Sequence, residues 1–110
     1  MPPMLILIIA ILCETVGTTA LQASQQFSKF WPSVIVVVAY AAAFYFLAHS
    51  LKHFPVGIAY AIWSGLGIVF IAAIGYVAFG QRLDLPAIAG ISMILAGILV
   101  INLFSSTATH

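Results

Sequence analysis

One acid sits inside an apolar run. Residues 6–21 read Ile-Leu-Ile-Ile-Ala-Ile-Leu-Cys-Glu-Thr-Val-Gly-Thr-Thr-Ala-Leu, with Glu14 near the middle. In hydrocarbon a carboxylate at that depth costs on the order of 2.5–3.5 kcal/mol or more, and such residues face a bundle interior or a water-filled cavity. No other acid and no basic residue lies within an apolar run of this chain. Glu14 therefore has no intramembrane cation of its own, which points to a counter-ion arriving from outside, as a proton or a cationic ligand. The competing reading is a structural glutamate, held neutral or bonded to a neighbouring helix.

Residues at helical spacing from Glu14 are Leu7, Ala10, Ile11, Gly17, Thr18 and Leu21. Ala10, Gly17 and Thr18 are small, so they open space around the carboxylate or let another helix approach. With Leu7 they are the candidate lining of a ligand site on the first apolar run. Aromatic candidates come from two other runs. Tyr60 and Trp63 are three apart, and Tyr40 and Phe44 four apart, so each pair can share a helical face. A cation over such a ring gains about 0.5–2 kcal/mol, more when desolvated. The alternatives are plain packing or an interfacial belt, and Trp63 lies too far inside its run for a belt.

Glycines supply the remaining signals. Gly65 and Gly67 weaken a helix locally and suit a kink or hinge, or simply admit a neighbouring helix. Gly90 and Gly97, seven apart with Ala89 and Ala96 beside them, align small residues for close helix–helix contact, which assigns them to assembly. His49 and His53 have metal-like spacing, but no nearby Cys, Asp or Glu completes a site, so no metal is expected. Cys13 lies about 100° around the helix from Glu14 and reads as packing. There is no nucleophile–base constellation, phosphate loop or nucleotide fingerprint, so neither enzymatic activity nor a cofactor is expected.

These residues need elements to hold them, and composition says which kind. Of the 110 residues, 65% are hydrophobic and 5% charged, against about 25% charged in a soluble domain. Such a chain cannot cover a water-facing surface, so an integral membrane protein in a lipid bilayer is expected. The net charge of +1 excludes a basic nucleic-acid footprint. The N-terminus, Met-Pro-Pro-Met, has no positive n-region, so a cleaved signal peptide is not expected.

The pattern predicts one all-α domain, 1–110, of four transmembrane helices at about 4–21, 33–51, 56–79 and 87–104. Each is about 18–24 residues, the length a membrane helix needs. Pro2, Pro3, Pro32, Pro55 and Pro86 mark the starts, where a missing N–H costs nothing. Four short helices cannot enclose a drug-sized cavity of about 300 Å³ behind a continuous wall, so a transporter built from this chain needs more than one copy. The connection after the second run carries Lys52, while the connections on the other side carry Lys29 and Arg82. A positive-inside bias of one charge permits insertion both ways. An antiparallel homodimer then becomes available, forming an inverted repeat from two copies with its site near the midplane.

Glu14 in the first helix, Trp-Pro-Ser at 31–33, Gly-Ile-Ala-Tyr-Ala-Ile-Trp-Ser-Gly-Leu-Gly-Ile-Val at 57–69 and Gly-Gln-Arg-Leu-Asp-Leu-Pro-Ala-Ile at 80–88 resemble the small multidrug resistance exporters, in their quaternary-ammonium (Qac-type) branch. The resemblance covers nearly the whole chain. It implies a proton-coupled antiporter of the bacterial inner (cell) membrane, working as an antiparallel homodimer that exports lipophilic cationic drugs. It also implies that Glu14 binds both protons and substrate, that Tyr40, Tyr60 and Trp63 shape the pocket, that Gly65 and Gly67 form a third-helix kink, and that Gly90 and Gly97 support the dimer. The chain departs from the pattern at Met4, where a pocket tyrosine is usual, and at Ala43, where a small polar residue is usual. Both bear on the substrate spectrum. The sister subtype, a guanidinium/proton antiporter, usually continues from the glutamate with Val-Gly-Trp-Ala; here the run is Glu14-Thr-Val-Gly-Thr-Thr. That subtype, and a non-transporting membrane assembly or regulatory protein, are the alternatives.

Overall fold

A computed structural model describes residues 2–105. The chain forms four helices, α1 (Pro3–Ala23), α2 (Phe30–Ser50), α3 (Val56–Phe79) and α4 (Leu85–Phe104). All four are long and apolar enough to cross a membrane, so the chain is a multi-pass membrane protein.

The helix ends follow local chemistry. Pro3 opens α1 at a position whose N–H lacks an intrahelical partner anyway. Ser24 closes it, bonding back through its N–H to the Ala20 carbonyl at 2.8 Å and through its hydroxyl to the Leu21 carbonyl at 2.7 Å. Gln25, Gln26 and Phe27 then turn the chain with φ of 47°, 61° and 64°, a left-handed stretch made without a glycine. Proline 32 sits in the first turn of α2, where it is tolerated, so that helix starts at Phe30 rather than beyond the proline. Gly80, at φ 66°, ends α3 in a left-handed cap. Asp84 opens α4 by accepting the Ala87 N–H at 3.0 Å.

α1 packs against both α2 and α3, and α4 packs chiefly against α3. The buried cluster lies where α1 and α3 meet under the α2–α3 turn: Leu7, Ile11, Phe54, Ala59 and Ile62. Hydroxyls on α1 bond to their own helix, buried Thr15 to the Ile11 carbonyl and half-buried Thr19 to the Thr15 carbonyl, each at 2.8 Å. That removes a donor that lipid could not satisfy. α4 buries no residue at all. In lipid, apolar side chains gain nothing from hiding from one another, so packing quality rather than hydrophobicity decides which faces meet. Glycine decides one of these contacts. A methyl group at Gly65 would overlap the Ile98 side chain of α4, so α3 and α4 approach because position 65 is bare. α3 runs as unbroken helix through both Gly65 and Gly67.

Candidate functional site

Glu14 projects from α1 toward α3, where Gly67 leaves room: a methyl group there would lie 3.9 Å from Glu14 Oε2, in ordinary contact. The other carboxylate oxygen, Oε1, accepts a hydrogen bond of 2.7 Å from the Thr18 hydroxyl one turn on. Thr18 Oγ1 in turn lies 2.7 Å from the Tyr40 hydroxyl of α2. Gly17 seats that ring, because a methyl group at position 17 would lie 2.7 Å from Tyr40 Cδ1 and Cε1. Two glycines on facing helices thus set the carboxylate's surroundings. Gly67 frees one oxygen, and Gly17 lets α2 come close enough to bond the other through Thr18.

Two open clefts meet at this carboxylate. The first, about 520 Å³, is lined by Glu14, Trp63, Ser64, Gly67, Ile71 and Gln81 among others, and runs to the C-terminal end of α3. The second, about 490 Å³, is lined by Glu14, Trp63, Tyr40, Phe44, Tyr60 and residues of the α2–α3 turn, at the opposite end of α3. Glu14 and Trp63 belong to both. Among the described residues, no other charged side chain lines either cleft. The second cleft is the aromatic one. Tyr60 is 72% exposed along it, and the Tyr40 and Phe44 rings lie 6.5 Å apart, tilted by 49°. Each cleft has the volume of a drug-sized site, but neither is closed on all sides.

The structure brings Glu14, Tyr40, Phe44, Tyr60, Trp63 and Thr18 together. It places Gly17 beneath Tyr40. Leu7 and Ala10 lie elsewhere: both are 0% exposed, with Leu7 in the buried cluster. Met4 packs against that cluster and Ala43 is fully buried. Gly90 and Gly97 stand on exposed α4 with no atom within 4 Å of an added methyl group. Two polar cleft residues, Ser64 and Gln81, escaped the sequence reading. Ser64 follows Trp63 in α3. Gln81 folds back from the left-handed cap, its N–H on the Gly75 carbonyl at 3.0 Å and its side chain against Gly75, where a methyl group would come within 2.7 Å of Oε1.

An acid at the floor of an aromatic cleft, inside a four-helix membrane chain, fits a site for cations. The family model described as Small Multidrug Resistance protein matches residues 3–94. The chain belongs to the small multidrug resistance family. Its similarity to individual members extends over nearly its full length. It is 52% identical to the multidrug transporter EmrE of Escherichia coli K12 over 101 residues, 92% of each chain. It is 47% identical to the quaternary ammonium compound-resistance protein QacE of Escherichia coli, over 96% of each. It is 36% identical to QacC of Staphylococcus aureus, over 96% of this chain and 98% of that one. The small multidrug resistance match covers α1 to α3, which build the site, and the first half of α4.

Proposed function

We propose that this protein is a proton-coupled antiporter of the bacterial inner membrane, exporting lipophilic aromatic and quaternary ammonium cations as an antiparallel homodimer. The observation that carries this is the junction of the two clefts at Glu14, a lone carboxylate walled by Trp63, Tyr60, Tyr40 and Phe44. Rings and carboxylate together suit a bulky organic cation: the acid supplies the charge and the ring faces add cation–π attraction. The relatives' names, multidrug transporter and quaternary ammonium compound-resistance protein, agree with that substrate class.

The mechanism follows from one group serving two ligands. A proton on Glu14 removes the charge that holds the cation, and a bound cation opposes protonation. Mutual exclusion at one carboxylate couples the two flows without a second site. An inward proton gradient then drives the cation out, provided Glu14 meets each side of the membrane in turn. The open flanks of both clefts and the bare α4 face with Gly90 and Gly97 support a second copy completing the walls. The weak charge bias between Lys52 and the pair Lys29 and Arg82 supports that copy inserting the other way. Gly65 and Gly67 serve as the point where α3 bends as the dimer exchanges its open side.

Proton release on adding tetraphenylphosphonium to the purified protein tests the reading. Native protein should release protons and Glu14→Gln should release none; equal release from both would refute it. Exchange of guanidinium but not tetraphenylphosphonium in proteoliposomes would instead favour the guanidinium subtype. Transport of neither would leave an assembly or regulatory role.

A further inference from the structure

Three hydroxyl and carboxyl groups from two helices stand in a row: Tyr40, Thr18 and Glu14, with 2.7 Å at each step. We propose that this row is a relay that turns the Tyr40 hydroxyl between acceptor and donor toward the aromatic cleft as Glu14 loses and gains its proton. The proposal rests on the competition at Glu14 described above, and deepens it by making Thr18 a positioning residue for the cation site.

Donor counting sets the two states. An ionised carboxylate only accepts, and threonine and tyrosine hydroxyls carry one proton each. With Glu14 ionised, the Thr18 proton is committed to Oε1 across the 2.7 Å contact. The Thr18 oxygen must then accept from Tyr40. Tyr40 has spent its one proton inside the helix pair, so the cleft meets its oxygen lone pairs, which favour a cation. A proton arriving on Oε1 reverses every step. The carboxyl donates to Thr18, Thr18 donates to Tyr40, and the Tyr40 O–H swings toward the cleft with its positive end forward, which disfavours a cation.

Oε1 is the oxygen with an acceptor beside it, whereas Oε2 faces bare Gly67. A proton held on Oε1 therefore finds a hydrogen-bond partner at once. The geometry is fixed by Gly17, which holds the Tyr40 ring against α1. The titratable groups around Glu14 are few. From α2 there is Tyr40, from α3 Tyr60 shares the aromatic cleft, and Cys13 is the neighbour on α1; no other charged side chain lines either cleft among the described residues. The relay thus has no competing charge to answer to.

Selective ¹³Cζ labelling of tyrosine tests it, since the four tyrosines give few signals and Tyr40→Phe identifies one of them. In native protein the Tyr40 signal should move with pH, and Glu14→Gln should abolish the movement. Thr18→Val should abolish it too, and Thr18→Ser should restore it. A Tyr40 signal that ignores pH in native protein, as it would if the proton stayed on Oε2, overturns the relay, and so does a response that survives Thr18→Val. The functional readout is the ratio of tetraphenylphosphonium affinities at high and low pH. It should shrink about threefold in Thr18→Val relative to Thr18→Ser, the size of one neutral hydrogen bond. Tyr40→Phe should shrink it equally, and the double variant no further, because both break one chain. Additive losses would overturn the relay. The failure of the transport reading looks different: proton release from Glu14→Gln, with the tyrosine signal free to respond or not.

Discussion

Gly17→Ala adds one methyl group at the tightest inter-helix contact of the site. That carbon would sit 2.7 Å from two atoms of the Tyr40 ring and 3.4 Å from the Ala39 side chain. Carbon atoms rest about 3.5–4.0 Å apart, so the ring must retreat by about 1 Å. The Tyr40–Thr18 bond of 2.7 Å then stretches past the usual hydrogen-bond limit, whether the ring alone or all of α2 moves away from α1. Overpacking of this kind costs about 1–3 kcal/mol, and the lost hydrogen bond about 0.5–1.5 kcal/mol. Removing a helical glycine returns about 1 kcal/mol. The expected net is a destabilisation of about 1–3 kcal/mol, with weaker cation binding because Tyr40 leaves its place in the aromatic cleft. Reversible unfolding in detergent micelles measures the first effect, and tetraphenylphosphonium titration of the same sample the second. Gly57→Ala is the control, since nothing lies within 4 Å of a methyl group there; it should be neutral or gain up to about 1 kcal/mol from helix propensity. If Gly17→Ala proved as stable as Gly57→Ala and bound the cation as the native chain does, the seating of Tyr40 on Gly17 would be wrong.

Trp63→Ala should weaken aromatic-cation binding far more than Val77→Ala on the exposed face of α3, and equal losses in a binding titration would favour packing over recognition. Single-cysteine labelling of the loops, with Cys13 removed, should find each loop reachable from both sides of the membrane; labelling from one side only excludes dual insertion. Gln26→Gly should stabilise the chain by about 1 kcal/mol, because left-handed backbone costs a side-chain-bearing residue about 1–2 kcal/mol, and an unchanged unfolding midpoint would refute this. Gly67→Ala, whose methyl group would meet nothing closer than Glu14 Oε2 at 3.9 Å, should leave the proposed dimer assembled but slow its exchange between open states, and unchanged NMR exchange rates would remove the hinge.

Much of the candidate site's make-up was legible because membrane chains state their exceptions plainly. A lone acid in an apolar run stands out, and so do rings three and four residues apart. The helical period put Thr18 beside Glu14, since both belong to one helix. What periodicity cannot convey is which residues of different helices meet. Leu7 and Ala10 share the period of Glu14 yet are closed over within the packed helices, while Thr18 alone of that stripe bonds the carboxylate. The Thr18–Tyr40 bond depends on how near α2 comes to α1, which Gly17 decides sterically. Gln81 was invisible for a different reason: it follows α3 in sequence, and only the left-handed turn at Gly80 folds its side chain back toward the cleft. Gly65 shows the same limit. Its type allowed a kink or a close approach, and the position of Ile98 gives it the second role in this conformation.

The two clefts bear on why one small chain would need its own inverted copy. Within a protomer they reach toward opposite ends of α3 and share only Glu14 and Trp63. Only the second carries the tyrosine pair, while the first has Ser64 and Gln81 at its wall. A single chain, or a parallel pair, would therefore offer a cation a ring-lined approach from one side of the membrane and a sparser, more polar approach from the other. In the proposed antiparallel pair, the ring-lined cleft of one protomer opens on the same side as the Gln81 cleft of its partner. Each membrane face then presents one of each kind, with a carboxylate at both floors. Exchanging the conformations of the two protomers swaps the open side without changing the chemistry a ligand meets. Symmetry of that sort would let a chain of 110 residues present an equivalent site to both compartments, so that proton and cation compete for the carboxylate in the same surroundings on either side.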